Sequence, residues 1–327
     1  MKTQAIRIHE HGGPSVLRWE EIELPAPAPG EVRVRHTSVG LNFIDVYHRT
    51  GLYPVGALPS GLGLEGAGIV EAVGEDVSEV KPGDRVAYVG GPLGAYAAAR
   101  NIPAARLVLL PESIDEHEAA GMMLRGMTAE YLLHRTYPVK AGETILVHAA
   151  AGGVGLLLCQ WAHHIGARVI GTVGSEEKAE LARVHGCHHP VVYTREDFVA
   201  RVRELTEGTG VAVVYDSVGK ATFMGSLDCL RPRGYMVSFG QSSGKVAPLD
   251  IGVLGQQRSL FLTRPSIAAY TATREELTAS AKALFEVIAA GAVRIEINQT
   301  FALEAAAEAH RALETRQTTG STVLRVS

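Results

Sequence analysis

One strand–turn–helix pattern near the middle of the chain constrains the fold more than any other feature. The β-branched and apolar run Thr144–His148 leads into a glycine-rich turn, and a helical segment follows at Leu156–Ile165. In such a unit Gly152 lets the backbone approach a pyrophosphate, and Gly155 allows close packing of helix on strand. Ala150 replaces the first glycine of the G-x-G-x-x-G pattern, so a purely structural turn is the alternative. We interpret the turn as a dinucleotide site.

Strands and helices alternate through the surrounding sequence, which predicts a parallel, doubly wound sheet of the Rossmann type in an α/β protein. The candidate strands are Thr144–His148, Arg168–Val173, Pro190–Tyr193, Val211–Asp216, Gly234–Phe239 and Ser259–Thr263. A helix is predicted before them over Glu116–His134. Since 327 residues exceed the size at which one core usually stops growing, two domains are expected.

The two ends of the chain have a different pattern. Short β-like runs broken by glycine and proline fill residues 5–111 and predict a β-rich module. The predicted elements of the tail are helices at Glu275–Ala290 and Leu303–Thr315 and strands at Ile295–Ile297 and Thr322–Val326. We expect this tail to return to the first module. The predicted domains are therefore a catalytic domain at 1–124 and 265–327, and a dinucleotide-binding domain inserted at 125–264.

The end of the second Rossmann strand predicts which dinucleotide binds. A carboxylate there would bind the adenosine ribose of NAD, but Val173 is followed by Gly174 and Ser175. Lys178 lies three residues later and is expected to pair with the 2′-phosphate of NADPH, together with the hydroxyls of Ser175 and Tyr193. Two alternatives remain. Glu176 and Glu177 lie nearby in sequence, and Lys178 can be an ordinary solvated side chain that contacts no phosphate.

Composition excludes several classes of partner. The net charge is −4, and the sequence contains no lysine- or arginine-rich run of the kind that binds nucleic acid or an anionic membrane surface. No apolar stretch approaches the length of a bilayer-spanning helix, and the polar first residues do not resemble a secretory signal. We therefore expect small-molecule partners and a cytoplasmic location.

Cysteine and histidine give no metal motif. Cys159, Cys187 and Cys229 are far apart, which argues against disulfides and against a cysteine-built zinc site. The pairs His163-His164 and His188-His189 are interpreted as surface or packing residues, because adjacent helical residues do not face the same way. His148 is expected to be a hydrogen-bonded imidazole in the core.

Three stretches together resemble the quinone oxidoreductases related to ζ-crystallin, in the medium-chain dehydrogenase/reductase superfamily: Gly40–Tyr47, Gly63–Gly68 and His148–Gly155. The resemblance covers essentially the whole chain. It implies a GroES-like catalytic domain formed by both ends of the chain, an inserted Rossmann domain and a homodimer. Zinc-containing relatives carry Cys and His where this chain has Asn42 and Leu64, so the resemblance implies an enzyme without zinc.

The resemblance also implies the residues that bind NADPH. They are Asn42, Asp45 and Tyr53 in the cleft, Thr128 near the nicotinamide, Gly152, Gly153 and Val154 at the pyrophosphate, Gly174, Ser175, Lys178 and Tyr193 at the adenosine phosphate, and Phe239, Gly240 and Ser242 after the fifth strand.

The expected reaction is hydride transfer from NADPH to a quinone, which needs an oriented pocket and a hydrogen-bond donor for the developing oxyanion. The candidate donors are Asn42, Tyr47, Tyr53 and Arg264. Each also has a structural interpretation as a turn asparagine, a packing tyrosine or a surface arginine. A reductase of α,β-unsaturated carbonyl compounds is an alternative. A low-turnover NADPH-binding structural or RNA-binding protein is another, although the acidic charge disfavours RNA.

Overall fold

The computed structural model describes residues 1–256 and 258–326, which form two compact units. The first unit consists of Met1–Met127, Thr271–Phe285 and the residues from Ile295 onward. The second consists of Thr128–Tyr270 and Glu286–Arg294. Both units contain sheet and helix, so the α/β class predicted from the sequence is confirmed.

The strands, in chain order, are β1 (Lys2–Ile8), β2 (Leu17–Glu23), β3 (Glu31–Leu41), β4 (Ser60–Gly61), β5 (Glu65–Val73), β6 (Arg85–Val89), β7 (Ala99–Pro103), β8 (Leu107–Leu109), β9 (Thr144–Val147), β10 (Arg168–Val173), β11 (His189–Val192), β12 (Val211–Asp216), β13 (Leu230–Ser238), β14 (Phe261–Thr263), β15 (Ile297–Ala302) and β16 (Ser321–Arg325). The α-helices are α1 (Phe43–Arg49), α2 (Glu116–Tyr131), α3 (Gly153–Ile165), α4 (Glu176–Val184), α5 (Phe198–Leu205), α6 (Phe223–Cys229), α7 (Gly252–Gln256), α8 (Ile267–Tyr270), α9 (Arg274–Ala289) and α10 (Ala306–Glu314).

The first unit is built around a seven-stranded sheet with the order β15-β16-β3-β5-β6-β8, in which β7 also pairs with β3. Strand β3 is antiparallel to β5, β7 and β16. A smaller sheet has the order β2-β1-β4. Apolar side chains of β1, β3, α10 and β16 form one buried cluster, and those of β3, β5, β6 and β7 form another. Segments from both ends of the sequence therefore complete one core.

The second unit contains a six-stranded parallel sheet with the order β11-β10-β9-β12-β13-β14. This order confirms the doubly wound sheet predicted from the sequence. Strands β10 and β12 have the predicted bounds, and every residue of β12 is buried. Such strands are covered on both faces, which is why they read as continuous apolar runs.

Several element boundaries differ from the predictions. The strand predicted at Ile295–Ile297 is wrong over its first two residues, because the pairing of β15 with β16 begins at Ile297, opposite Ser321. Strand β14 begins at Phe261, since Ser259 has a left-handed φ of 60°. The helix predicted to reach His134 ends at Tyr131 and continues as a π-helical turn.

The other predicted helices begin or end within a few residues of their predicted bounds. Helix α3 begins at Gly153, and the segment predicted as a helix from Leu303 begins with a 3₁₀ turn before α10. Among the described residues, no helix is long and apolar enough to span a membrane.

Candidate cofactor and acceptor sites

The glycine-rich turn after β9 has the close packing that the sequence predicts. A Cβ atom on Gly155 would lie 2.2 Å from the carbonyl oxygen of Ala149 and 2.8 Å from the Cα of Ala150. Both neighbours are backbone atoms and cannot turn aside, so only glycine allows α3 to start this close to the end of β9. Gly152 is the N-cap of α3, and the N–H groups of the first helical turn have no acceptor within the helix. This geometry fits a pyrophosphate.

The proposed adenosine-phosphate residues lie together at the carboxyl ends of β10 and β11. Ser175 is the N-cap of α4, and its Oγ accepts a hydrogen bond from the Lys178 backbone N–H at 3.3 Å. Tyr193, 43% exposed, follows β11, and a Cβ atom on Gly174 would lie 3.0 Å from its hydroxyl oxygen. Glu176, the first residue of α4, forms an ion pair with Arg195 at 2.7 Å.

The residues predicted after the fifth Rossmann strand lie at the same edge of the sheet. The N–H of Phe239 donates to the carbonyl of Asp216 at 2.9 Å, and a Cβ atom on Gly240 would lie 2.6 Å from the carbonyl oxygen of Ser217. Ser242 is exposed. Arg264 follows β14, and its guanidinium donates to the backbone carbonyl of Ser238 at 3.2 Å, the carboxyl end of β13.

Thr128 differs from these residues because it lies on a helix. It belongs to α2, where it is buried three residues before Tyr131. Burial raises the pKa of Tyr131 above its ordinary value, so its hydroxyl stays protonated.

His148 is a core imidazole, as predicted. One ring nitrogen lies 2.8 Å from the hydroxyl of Thr172 and the other lies 2.9 Å from the hydroxyl of Ser226. One histidine of each sequence pair meets the other pair: Nδ1 of His163 on α3 lies 3.3 Å from Nε2 of His188, the exposed residue just before β11.

The first unit holds Asn42 with two carboxylates. Asn42 is the N-cap of α1, and its backbone N–H donates to Oδ2 of Asp45 at 2.8 Å. Its side-chain Nδ2 donates to Oε2 of Glu65 at 2.6 Å. All three residues are buried. Asn42 is therefore held through its backbone and through its side chain.

A chain of hydrogen bonds runs from Arg49 through His310 and Tyr96 to Asp45. Arg49 donates to Nδ1 of His310 at 2.9 Å, so the neutral imidazole carries its proton on Nε2 and donates to the Tyr96 oxygen at 3.2 Å. The hydroxyl of Tyr96 donates in turn to Oδ2 of Asp45 at 2.9 Å. Arg49 also forms a bidentate pair with Glu314 at 2.7 and 2.9 Å.

Burial sets the protonation states of Asp45 and His310 in this hydrogen-bond network. It raises the pKa of the Asp45 carboxyl to about 7, against the opposing effect of its two hydrogen-bond donors. It lowers the pKa of His310 to about 3, and the adjacent Arg49 cation acts in the same direction. His310 is therefore neutral at ordinary pH, which agrees with its hydrogen bonds.

The two candidate tyrosines of the first unit pack against each other. Tyr47, 7% exposed, lies on α1, and its ring centroid is 5.1 Å from that of Tyr53 in an edge-on contact. The Tyr53 backbone N–H donates to the carbonyl of Tyr47 at 3.0 Å. Asn42, Asp45 and the two tyrosines thus lie on or next to α1, whereas Arg264 belongs to the second unit.

Comparison with known proteins gives a family for both units. Residues 28–139 match the model of the alcohol dehydrogenase GroES-like domain, and residues 153–286 match that of the zinc-binding dehydrogenases. The quinone oxidoreductase of Pseudomonas aeruginosa is 54% identical over 98% of both chains. The chain belongs to the quinone oxidoreductase family of the medium-chain dehydrogenase/reductase superfamily. The predicted resemblance and the GroES-like and Rossmann fold are confirmed.

Two further members of this superfamily bear on the site. The crystal structure of Escherichia coli quinone oxidoreductase complexed with NADPH matches this chain with a TM-score of 0.97 and 48% identity, over 98% of this chain and 99% of that one. The 2-haloacrylate reductase of a Burkholderia species is 48% identical over 97% of both chains.

Although one matching family model is named for zinc, Asn42 and Leu64, the two positions that the resemblance matches to zinc ligands, do not fit that metal. Leu64 offers no donor atom, and the amide of Asn42 is bonded to Glu65. The three cysteines are buried elsewhere, in the second unit. Within residues 1–256 and 258–326, no group of three or more His, Cys, Asp or Glu residues could hold a metal ion.

Proposed function

We propose that the protein reduces quinones by hydride transfer from NADPH without the help of zinc. The observation that carries the proposal is the full-length similarity to quinone oxidoreductases.

The cofactor residues supply contacts suited to NADPH, whose nicotinamide provides the hydride when it is bound. At the turn of Gly152, Gly153 and Val154, Gly152 lets the backbone approach the pyrophosphate, and the backbone N–H groups of Gly153 and Val154 are proposed to bind it. Lys178 provides a positive charge for the 2′-phosphate, and no carboxylate ends β10 to favour NAD. The further proposed contacts come from Thr128, Gly174, Ser175, Tyr193, Phe239, Gly240 and Ser242, together with Asn42, Asp45 and Tyr53.

The acceptor needs a hydrogen-bond donor more than a base. Negative charge develops on the quinone oxygen as it accepts hydride, and a donor already aimed at that oxygen lowers the barrier. We assign this role first to the amide of Asn42 and then to the hydroxyls of Tyr47 and Tyr53 and the guanidinium of Arg264. The backbone and side-chain bonds that hold Asn42 support this order.

Zinc independence follows from the chemistry of the substrate. Alcohol oxidation requires loss of the hydroxyl proton and stabilisation of an alkoxide, which zinc performs as a Lewis acid. A quinone is already electrophilic. Asn42 and Leu64 in place of zinc ligands are therefore compatible with quinone reduction and unsuited to alcohol oxidation.

Reduction of an activated carbon–carbon double bond is a second candidate, because the 2-haloacrylate reductase is a full-length relative at 48% identity. Its substrate and a quinone both place an electrophilic carbon in conjugation with an oxygen that gains charge.

We further propose a cytoplasmic homodimer, which size-exclusion chromatography with light scattering and cell fractionation would test.

The deciding experiment is a substrate panel with the purified protein. Benzoquinone, naphthoquinone, simple enones and 2-chloroacrylate are tested with NADPH and NADH, and simple alcohols with NADP⁺. We expect fast NADPH oxidation with quinones and poor turnover of alcohols. Alcohol oxidation without quinone reduction would overturn the proposal, and faster turnover of the enones or the haloacrylate would favour the second candidate.

Metal content is measured on the same preparation by elemental analysis. We expect full quinone reductase activity in protein treated with a chelator. About one zinc per chain, with activity lost to the chelator and restored by zinc, would contradict the zinc-free mechanism.

A further inference from the structure

The carboxylate of Glu65 constrains how the Asn42 side chain is turned, alongside the capping box that Asn42 forms with Asp45. An asparagine amide has a broad, roughly two-fold torsion, and turning it over exchanges its oxygen and its nitrogen. A carboxylate only accepts hydrogen bonds, so it requires the nitrogen to face it. Nδ2 of Asn42 does so at 2.6 Å from Oε2 of Glu65, with both residues buried.

Glu65 is itself fixed on several sides. Its Oε1 accepts the backbone N–H of Leu124 at 2.8 Å, so each carboxylate oxygen serves a different donor. A Cβ atom on Gly40 would lie 2.1 Å from Oε2, which shows that the carboxylate occupies space left by a missing side chain. Burial raises the pKa of Glu65, and the buried cation of Arg125 and the hydrogen bonds to the carboxylate oppose this rise. Arg125 is held by the carbonyls of Leu41 and Gly121.

We infer that Glu65 is a positioning residue for the reduction: it engages one N–H of the Asn42 amide so that the other is presented to the acceptor oxygen in a fixed orientation. The inference rests on the role given to Asn42 under the proposed function. An amide free to turn over would at times direct its own oxygen at the developing negative charge, which is repulsive.

Glu65→Gln is the direct test because a carboxamide has only one accepting oxygen. If that oxygen accepts from Leu124, the new NH₂ group faces Nδ2 of Asn42 and the Asn42 amide must turn over. If it accepts from Asn42, the NH₂ group faces the Leu124 N–H. The first case reverses the Asn42 amide, the second leaves two donors facing each other, and in both the wild-type arrangement is lost.

The experiment is a double-mutant cycle with Asn42→Ala and Glu65→Gln, using quinone turnover with NADPH. We expect Glu65→Gln alone to lower kcat by about 10-fold or more, with a smaller change in KM for NADPH. In the Asn42→Ala background we expect it to lower kcat by less than about twofold. An equal loss in both backgrounds, or no loss in either, overturns the inference.

Glu143→Gln is the matched control. Glu143 accepts hydrogen bonds from Tyr137 at 2.7 Å and Arg231 at 2.8 Å, so its removal also deletes a carboxylate with several partners, but in the second unit. We expect unchanged kcat for this variant. A loss equal to that of Glu65→Gln would assign both effects to general destabilisation and overturn the positioning role.

A second readout needs no substrate, no cofactor and no variant. The sequence contains three asparagines, Asn42, Asn101 and Asn298, so selective ¹⁵N-asparagine labelling gives three side-chain NH₂ signals. Asn101 is the internal reference, since its amide donates to a backbone carbonyl at 3.0 Å on the exposed surface.

We expect one Asn42 proton to lie well downfield of the Asn101 protons, because a short bond to a carboxylate deshields it. We also expect slow interchange between the two Asn42 protons. An Asn42 pair that matches Asn101 in shift and interchange overturns the inference even if Glu65→Gln fails to fold. If the amide is fixed but the wild-type protein reduces no quinone, the proposed function fails and the fixed orientation stands.

Discussion

Asp45 provides a prediction about stability whose size can be worked out from the structure. The pKa of its buried carboxyl is about 7, against an ordinary value of 3.8. The folded chain therefore keeps a proton that the unfolded chain has lost between about pH 4 and pH 7. The free energy of unfolding therefore falls as the pH rises from about 4 to 7. The fall is about 1.4 kcal/mol per pH unit and reaches about 4 kcal/mol in total.

The substitution that removes this dependence is Asp45→Asn. The asparagine oxygen can still accept from the Asn42 N–H and the Tyr96 hydroxyl, which both bond to Oδ2. Its NH₂ group replaces Oδ1, an atom with no hydrogen-bond partner among the described residues. We expect the variant to match the wild type near pH 4 and to become more stable than it by up to about 4 kcal/mol near pH 8.

The assay is urea unfolding of both proteins at several pH values from 4 to 8. The pKa of His310 is lowered to about 3, which stabilises the fold as the pH rises toward 6.5, but this slope is common to both proteins and cancels in their difference. Asp250→Asn, at an exposed site, controls for the loss of one negative charge. A difference that is flat with pH, or a variant weaker at pH 8 than at pH 4, would refute the reasoning.

Three other substitutions test the sites. Gly155→Ala should destabilise the protein by about 1–3 kcal/mol and weaken NADPH binding, because its Cβ would meet backbone at 2.2 Å; thermal melts with and without NADPH check this, and wild-type melting would contradict it. Lys178→Ala should raise KM for NADPH and leave that for NADH nearly unchanged; equal losses would show that Lys178 does not bind the 2′-phosphate. Tyr47→Phe should lower kcat by about 10-fold to 1000-fold if its hydroxyl meets the acceptor, with a smaller effect on NADPH affinity; unchanged kcat would remove Tyr47 from the mechanism.

The sequence predicted those parts of the fold that local patterns determine. Strands β10 and β12 were predicted to the residue because buried parallel strands are continuous apolar runs. The turn at Gly155 was recognised because its strand, glycines and helix are adjacent in sequence. Strand β15 was misplaced because it lies at a sheet edge and alternates between exposed and half-buried residues, so its start is set by β16.

The network around Asn42 could not be predicted because its partners are distant in sequence. Asn42 and Glu65 are 23 residues apart, whereas Tyr96 and His310 are 214 apart. One signal was present: His310 follows Ala306 by four residues, on the buried face of α10. A histidine on such a face requires polar partners within the core, although only the fold identifies them as Tyr96 and Arg49.

The burial of Arg49 has a consequence for synthesis of the protein on the ribosome. Its partner Glu314 is made 265 residues later, and residues 38–41 of β3 likewise lack their partner strand until β16 is made. The six strands of the parallel sheet are all translated before either partner. A nascent chain therefore has a complete nucleotide-binding sheet while Arg49 is still hydrated and β3 exposes unpaired backbone groups. That interval is when the chain is most open to wrong strand pairing, and so to the action of chaperones.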